Sequence, residues 1–176
     1  TPTLATTVSN LLYQAVFITS AAVTWPVLPS SPPDASSMTA EGYRLEASST
    51  NFGALSPGGL LLSSQTANVT LATLTVSGLD LDTTYYFRLG SLNWAGVAQY
   101  AQLAATSTLA SPPGAGSPAV GAVFATSVTL AWNAGTPANA AGVVYELRAS
   151  SKAFAPDAAV LSSATANLGD TLPGLL

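Results

Sequence analysis

The sequence predicts an all-β chain built as tandem sandwiches. Three observations point there. Runs of alternating large and small or polar residues recur at strand length, as in Tyr85, Phe87 and Leu89 set against Tyr86 and Arg88. Charged residues make up only 7% of the 176 and hydrophobic ones 48%, the reverse of a disordered chain, with Ser and Thr supplying the polar surface. Two long segments recur in order. Ala15–Trp25 returns as Ala122–Trp132, and Gly42–Ser49 as Val144–Ser151. Repetition on that scale argues for tandem domains rather than one fold.

The stretch Leu79–Gly96 organises the rest. It reads as a tight corner, then a strand, then a loop. Tyr85, Phe87, Leu89 and Ser91 share the inward face, while Tyr86, Arg88 and Gly90 lie outward. Asn93–Gly96 carries turn chemistry. The spacing Leu79, Thr83, Tyr85, Phe87, Leu89, Asn93, Gly96 resembles the F-strand signature of the fibronectin type III family. The resemblance implies immunoglobulin-like sandwiches and a tyrosine corner, the Tyr85 hydroxyl bonding back to the backbone just upstream. Leu81, where the family often has Pro, and Ser91, where it often has a small apolar residue, are mild departures.

Taken in order, Thr1–Thr6 (TPTLAT) matches Thr106–Ser111 (TSTLAS), a run that closes a domain, so residues 1–6 are expected to be the tail of a preceding repeat. The first domain then spans 7–109. Trp25 and Trp132 end matching segments, and by the resemblance each is the inward Trp of strand B. Pro26 either ends strand B or marks an edge. The Pro-rich stretch Pro29–Ala35 is the connection to strand C. Strand C puts Tyr43, Leu45 and Ala47 on one face, and Tyr145 repeats Tyr43. Arg44 with Glu46, and Glu146 with Arg148, read as outward pairs on solvated faces, each worth at most about 1 kcal/mol. Phe52 and Phe154 each fall nine residues after the strand C Tyr, a shared feature. Pro57–Gly59 is a turn. Alternation over Val69–Val76 slips once, through a bulge near Ala72 or a mis-set boundary. Val97–Thr106 is strand G.

Residues 110–118 form a Pro/Gly linker, semi-rigid because two Pro are adjacent. A partial domain follows over 119–176. Leu172–Leu175 aligns with Val76–Leu79, so this domain lacks strands F and G. Those strands carry three or four large side chains at about 1.5–3 kcal/mol each, so their loss is on the order of 5–10 kcal/mol, which rivals the stability of a domain. Either the sequence is a window on a longer array or another chain donates the strands.

Chemistry is sparse. With no His and no Cys, Ser-His-Asp, Cys-His and zinc arrangements are excluded. The acids are scattered over loops and outward positions, so no catalytic residue, cofactor or metal is expected. Asp80 and Asp82 read either as weak calcium ligands or as Asx turn formers. Asn68–Thr70 matches a glycosylation sequon. Four basic residues against eight acidic ones leave no basic patch, which excludes nucleic acid, and no apolar run is long enough for membrane insertion. Trp94, in the F–G loop, either anchors an interface or folds back over the sandwich. The reading is a non-enzymatic structural or assembly module of an extracellular or cell-surface repeat protein or filament. Its expected partners are copies of itself or neighbouring repeats. The alternatives are an adhesin-type module for a glycan or surface-protein ligand, and accessory domains of a secreted polysaccharide hydrolase.

Overall fold

The alternating runs do form strands. The computed structural model describes residues 3–28, 40–53, 59–156 and 158–175, and these are all-β, without a helix. The expected Pro29–Ala35 connection and most of the Pro57–Gly59 turn lie outside the described residues. The chain divides into Thr1–Leu109 and Ala110–Leu176.

In the first unit β1 (Leu12–Val16), β2 (Ser20–Thr24) and β5 (Thr73–Ser77) form an antiparallel sheet in the order β1-β2-β5. A second sheet runs β4-β3-β6-β7 through β4 (Leu61–Thr66), β3 (Gly42–Ser48), β6 (Thr84–Leu92) and β7 (Ala98–Gln102). The short β8 (Thr106–Ser107) pairs with the start of β6. Period-2 alternation sends Val23 and Val76 from one sheet, and Tyr43, Leu45, Tyr85, Phe87 and Leu89 from the other, into one core. Trp25 lies just past β2 with its ring 5.0 Å from Tyr43, so Pro26 falls beyond the strand and costs no ladder bond.

Three expectations need correction, and one open alternative is settled. Residues 3–6 are not a tail leading away from this domain. Ala5 and Val8 are buried in the core of the first unit, and the Ser91 hydroxyl donates to the Thr6 carbonyl at 2.6 Å. That bond is the physical reason for a polar residue inside the sandwich at Ser91. Nor do residues 110–118 stand apart from the second unit as the expected semi-rigid linker. Asn139 accepts from the Ser111 amide and donates to the Ser111 carbonyl, and from Gly114 onward the chain is strand. Of the two alternatives for the slip over Val69–Val76, the structure shows the mis-set boundary and not a bulge near Ala72. Residues 67–70 turn, with the Leu71 amide donating to the Asn68 carbonyl, and β5 begins only at Thr73. Finally, Arg44 and Glu46 do not pair. Arg44 donates to Gln65 on β4, and Glu46 is buried beneath Arg88 on β6. Cross-strand neighbours lie closer than residues two apart along one strand.

The second unit repeats half of this plan. β9 (Gly114–Val123), β10 (Ser127–Asn133) and β13 (Gly169–Pro173) form a sheet in the order β13-β10-β9, and β11 (Tyr145–Ala149) pairs with β12 (Leu161–Thr165). The likeness reaches single bonds. The Leu79 amide donates to the Thr19 carbonyl and the Leu175 amide to the Thr126 carbonyl, each after a glycine at φ +82°. Phe52 and Phe154 both take left-handed φ, 57° and 59°, each behind another left-handed residue. Described strands matching β6 and β7 are absent from this unit. Its apolar side chains are correspondingly open, with Tyr145 and Leu172 the buried ones among those described.

Candidate functional site

The β6–β7 hairpin carries the most deliberate construction. Its turn is held from inside by Asn93, whose Oδ1 accepts from the amides of Ala95 (3.0 Å) and Val97 (2.9 Å). Its Nδ2 donates to the Thr3 carbonyl at 2.7 Å, tying the N-terminal segment to the same turn. Backbone bonds from Asn93 to Val97 and from Gly96 to Asn93 close the loop, and Gly96 supplies the positive φ (72°) the turn needs. Asn93 is buried, whereas Trp94 beside it is 84% exposed. Of the two alternatives for Trp94, the ring therefore stands in solvent on a hydrogen-bonded turn, flanked by exposed Val97. A large apolar ring held outward on a braced loop is suited to stacking against a partner's flat apolar surface.

A second cluster, on the outer face of β3, β6 and β7, was not legible as a unit. The Arg88 guanidinium lies between the rings of Phe52 and Tyr100, its Cζ 4.0 Å from each centroid. Its nitrogens reach Glu46 Oε2 at 2.7 and 2.8 Å, and the Tyr100 hydroxyl donates to Glu46 Oε1 at 2.8 Å. Burial, followed by the bond to Glu46, pushes the Tyr100 hydroxyl above its ordinary pKa. Gly90 makes room for this, since a Cβ there would meet the Tyr100 ring at 2.9 Å. Both oxygens of the Glu46 carboxylate are hydrogen-bonded, so the cluster rigidifies the sheet.

The remaining expected residues are placed as follows. Tyr85 is buried, accepts from the Asp80 amide at 3.1 Å and donates to the Asp80 carboxylate at 3.3 Å. Burial, ahead of its contacts with Asp80, raises its pKa. Asp80 thus serves the corner, and among the described residues no group of three His, Cys, Asp or Glu is placed to hold a metal ion. Thr108, missed by the sequence reading, threads the same corner. Its hydroxyl donates to the Asp80 carbonyl at 2.6 Å and accepts from the Thr83 amide at 3.0 Å. Asn68 accepts from Thr70 through both amide and hydroxyl, an Asx turn that leaves the sequon exposed. Trp132 is half-buried with its ring 5.8 Å from Tyr145. No described helix is long and apolar enough to cross a membrane.

These sheets, the F–G hairpin and the Tyr85 corner define a fibronectin type III-like sandwich. The chain is similar in structure to a two-domain fibronectin type III segment of chicken tenascin, at 17% identity and TM-score 0.54, over 96% of this chain and 83% of that one. It also resembles the FN5 domain of Drosophila Lar, at 17% identity and TM-score 0.42, over 62% of this chain and 98% of that one. At this identity the tenascin likeness shows the fold alone. No protein-family model matches the sequence, and no curated protein matches it.

Proposed function

We propose that the chain is a non-enzymatic structural and assembly module of an extracellular or cell-surface repeat protein or filament, working against copies of itself or neighbouring repeats. One observation carries this reading: the chain builds the same half-sandwich twice, down to the bonds at the Leu79 and Leu175 corners. Repeated, modular construction is what a spacer or filament needs. The thin charge coat supports it, since little like-charge repulsion keeps neighbours apart. The test is sedimentation of the whole chain over a wide concentration range. Reversible self-association that survives Trp94→Ala is the expected result, and a monomer at every concentration refutes assembly.

The exposure of Trp94 favours a second reading, an adhesin-type module that binds a glycan or a surface protein through the hairpin turn. Screening on a glycan array and on extracellular protein panels decides it. Binding lost in Trp94→Ala by a monomeric sample establishes this reading over assembly. Accessory domains of a secreted polysaccharide hydrolase would show the same loss on insoluble polysaccharide alone.

A further inference from the structure

Each unit carries an exposed asparagine at the same turn. Asn68 lies between β4 and β5, and Asn167 between β12 and β13. Both Asn amides donate to a Thr hydroxyl two residues earlier, Thr66 Oγ1 at 3.0 Å and Thr165 Oγ1 at 3.1 Å. The turns differ two residues beyond the Asn, where the first has Thr70 and the second Gly169. Thr70 donates twice to Asn68 Oδ1, from its amide at 3.0 Å and from its hydroxyl at 2.8 Å. A backbone amide can only donate, so Oδ1 is the atom held against Thr70. Asn68 Nδ2 is left without a hydrogen-bond partner among the described residues. Between the two, the Val69 carbonyl accepts from the hydroxyl of buried Tyr43 at 3.3 Å, and the Leu71 amide donates to the Asn68 carbonyl. The turn is thus anchored to the core while the carboxamide nitrogen stands free.

We propose that Asn68 is a modification site, the acceptor of an N-linked glycan from a polyprenyl-diphosphate oligosaccharide. Asn68-Val69-Thr70 has the required hydroxyl residue two positions on and no Pro between, and no other Asn of the chain does. An amide nitrogen is a poor nucleophile, because its lone pair is delocalised into the carbonyl. Two hydrogen bonds at Oδ1 stabilise negative charge there, so the Nδ2 proton passes more readily to a base of the transferase. Nδ2 then bonds to the anomeric carbon of the first sugar. The bond from that carbon to the diphosphate oxygen breaks, and its electron pair leaves with the polyprenyl diphosphate. Asn167 has the matching turn without the hydroxyl, so it lacks the second bond at Oδ1 and is not an acceptor. The proposal rests on the extracellular reading only for the chain's encounter with such a transferase.

The test incubates the whole folded chain, without denaturant, with a purified single-subunit oligosaccharyltransferase and polyprenyl-diphosphate chitobiose. Intact mass and peptide mapping read the product. The expected result is one chitobiose per chain, on Asn68. It is lost in Asn68→Gln and in Thr70→Val, which keeps the shape of the side chain but not its hydroxyl, and it returns in Thr70→Ser. Both positions are exposed, and circular dichroism checks that each variant keeps its fold. Three outcomes overturn the proposal: an unmodified folded chain when a peptide spanning residues 64–73 is modified, equal modification of Thr70→Val, or a sugar on Asn167. The purified assay needs no passage out of a cell. Its failure therefore refutes the site and leaves the extracellular reading standing, which fractionation of the producing cells decides.

Discussion

Asn93→Ala separates the scaffold of the hairpin turn from the ring it displays. The substitution removes three hydrogen bonds, to the Thr3 carbonyl and from the Ala95 and Val97 amides. At about 1 kcal/mol net per bond, the upper bound is about 3 kcal/mol. Ala95, Val97 and Thr3 are exposed, so water replaces part of what is lost, and about 2 kcal/mol is expected. The loss falls on the first unit, since all four residues belong to it. Urea unfolding followed through protection of the β6 amides measures it without assuming that both units melt together. Exchange at Ala95 and Val97 should rise as well, and the fluorescence anisotropy of Trp94 should fall. Asn93→Asp keeps both accepted bonds and loses only the donor to Thr3, so it should retain the turn while loosening the N-terminal segment. A change below about 0.5 kcal/mol in Asn93→Ala, with unaltered Trp94 anisotropy, would refute the view that Asn93 holds this ring out.

The other expectations concern the same sheet and its repeat. Arg88→Ala should destabilise the first unit by about 2 kcal/mol, because it strands the buried Glu46 carboxylate; chemical denaturation measures it, and Arg88→Ala with Glu46→Gln should recover part. Gly42→Ala should cost about 2 kcal/mol or more, since the new Cβ would collide with the Thr66 carbonyl oxygen, and a shift in melting temperature reads this. Burial pushes the Tyr13 hydroxyl up to about 12, where it donates to the Ala104 carbonyl. Its folded pKa exceeds the unfolded one, so its contribution is complete below about pH 10 and is lost as pH climbs towards about 12. Melting against pH should fall less steeply over that window in Tyr13→Phe. Phe52→Gly should destabilise the first unit through loss of the Arg88 stack, whereas Phe154→Gly should stabilise the second by up to about 1 kcal/mol, as its ring is 56% exposed and its φ unfavourable.

What could be read from the sequence follows from the reach of each signal. Alternation is local, so β3, β6 and β11 were legible, and the aromatic residues at Trp25, Tyr43 and Tyr85 marked the inward faces. Register is not local. Sequence alone pairs Glu46 with Arg44, two residues away in its own strand, because nothing in it says which residue of β6 lies across from it. The structure sets Arg88 there, and with it the stack on Phe52 and Tyr100. Similarity between segments misled at the ends of domains. Residues 1–6 resemble 106–111, yet Ala5 is core, because burial depends on what the segment meets and not on its composition.

The reversed charges on β3 and β11 show how a repeat keeps its architecture while changing its ion pairs. The apolar positions Tyr43, Leu45 and Ala47 recur as Tyr145, Leu147 and Ala149, since any sandwich of this kind must fill the same interior. The outward positions are under no such demand. There Arg44 and Glu46 become Glu146 and Arg148, and the salt bridge changes from cross-strand, Arg88 to Glu46, to same-strand, Arg148 to Glu146 at 2.9 Å. The repeat thus conserves its inward apolar positions while its outward charges are free to change partners.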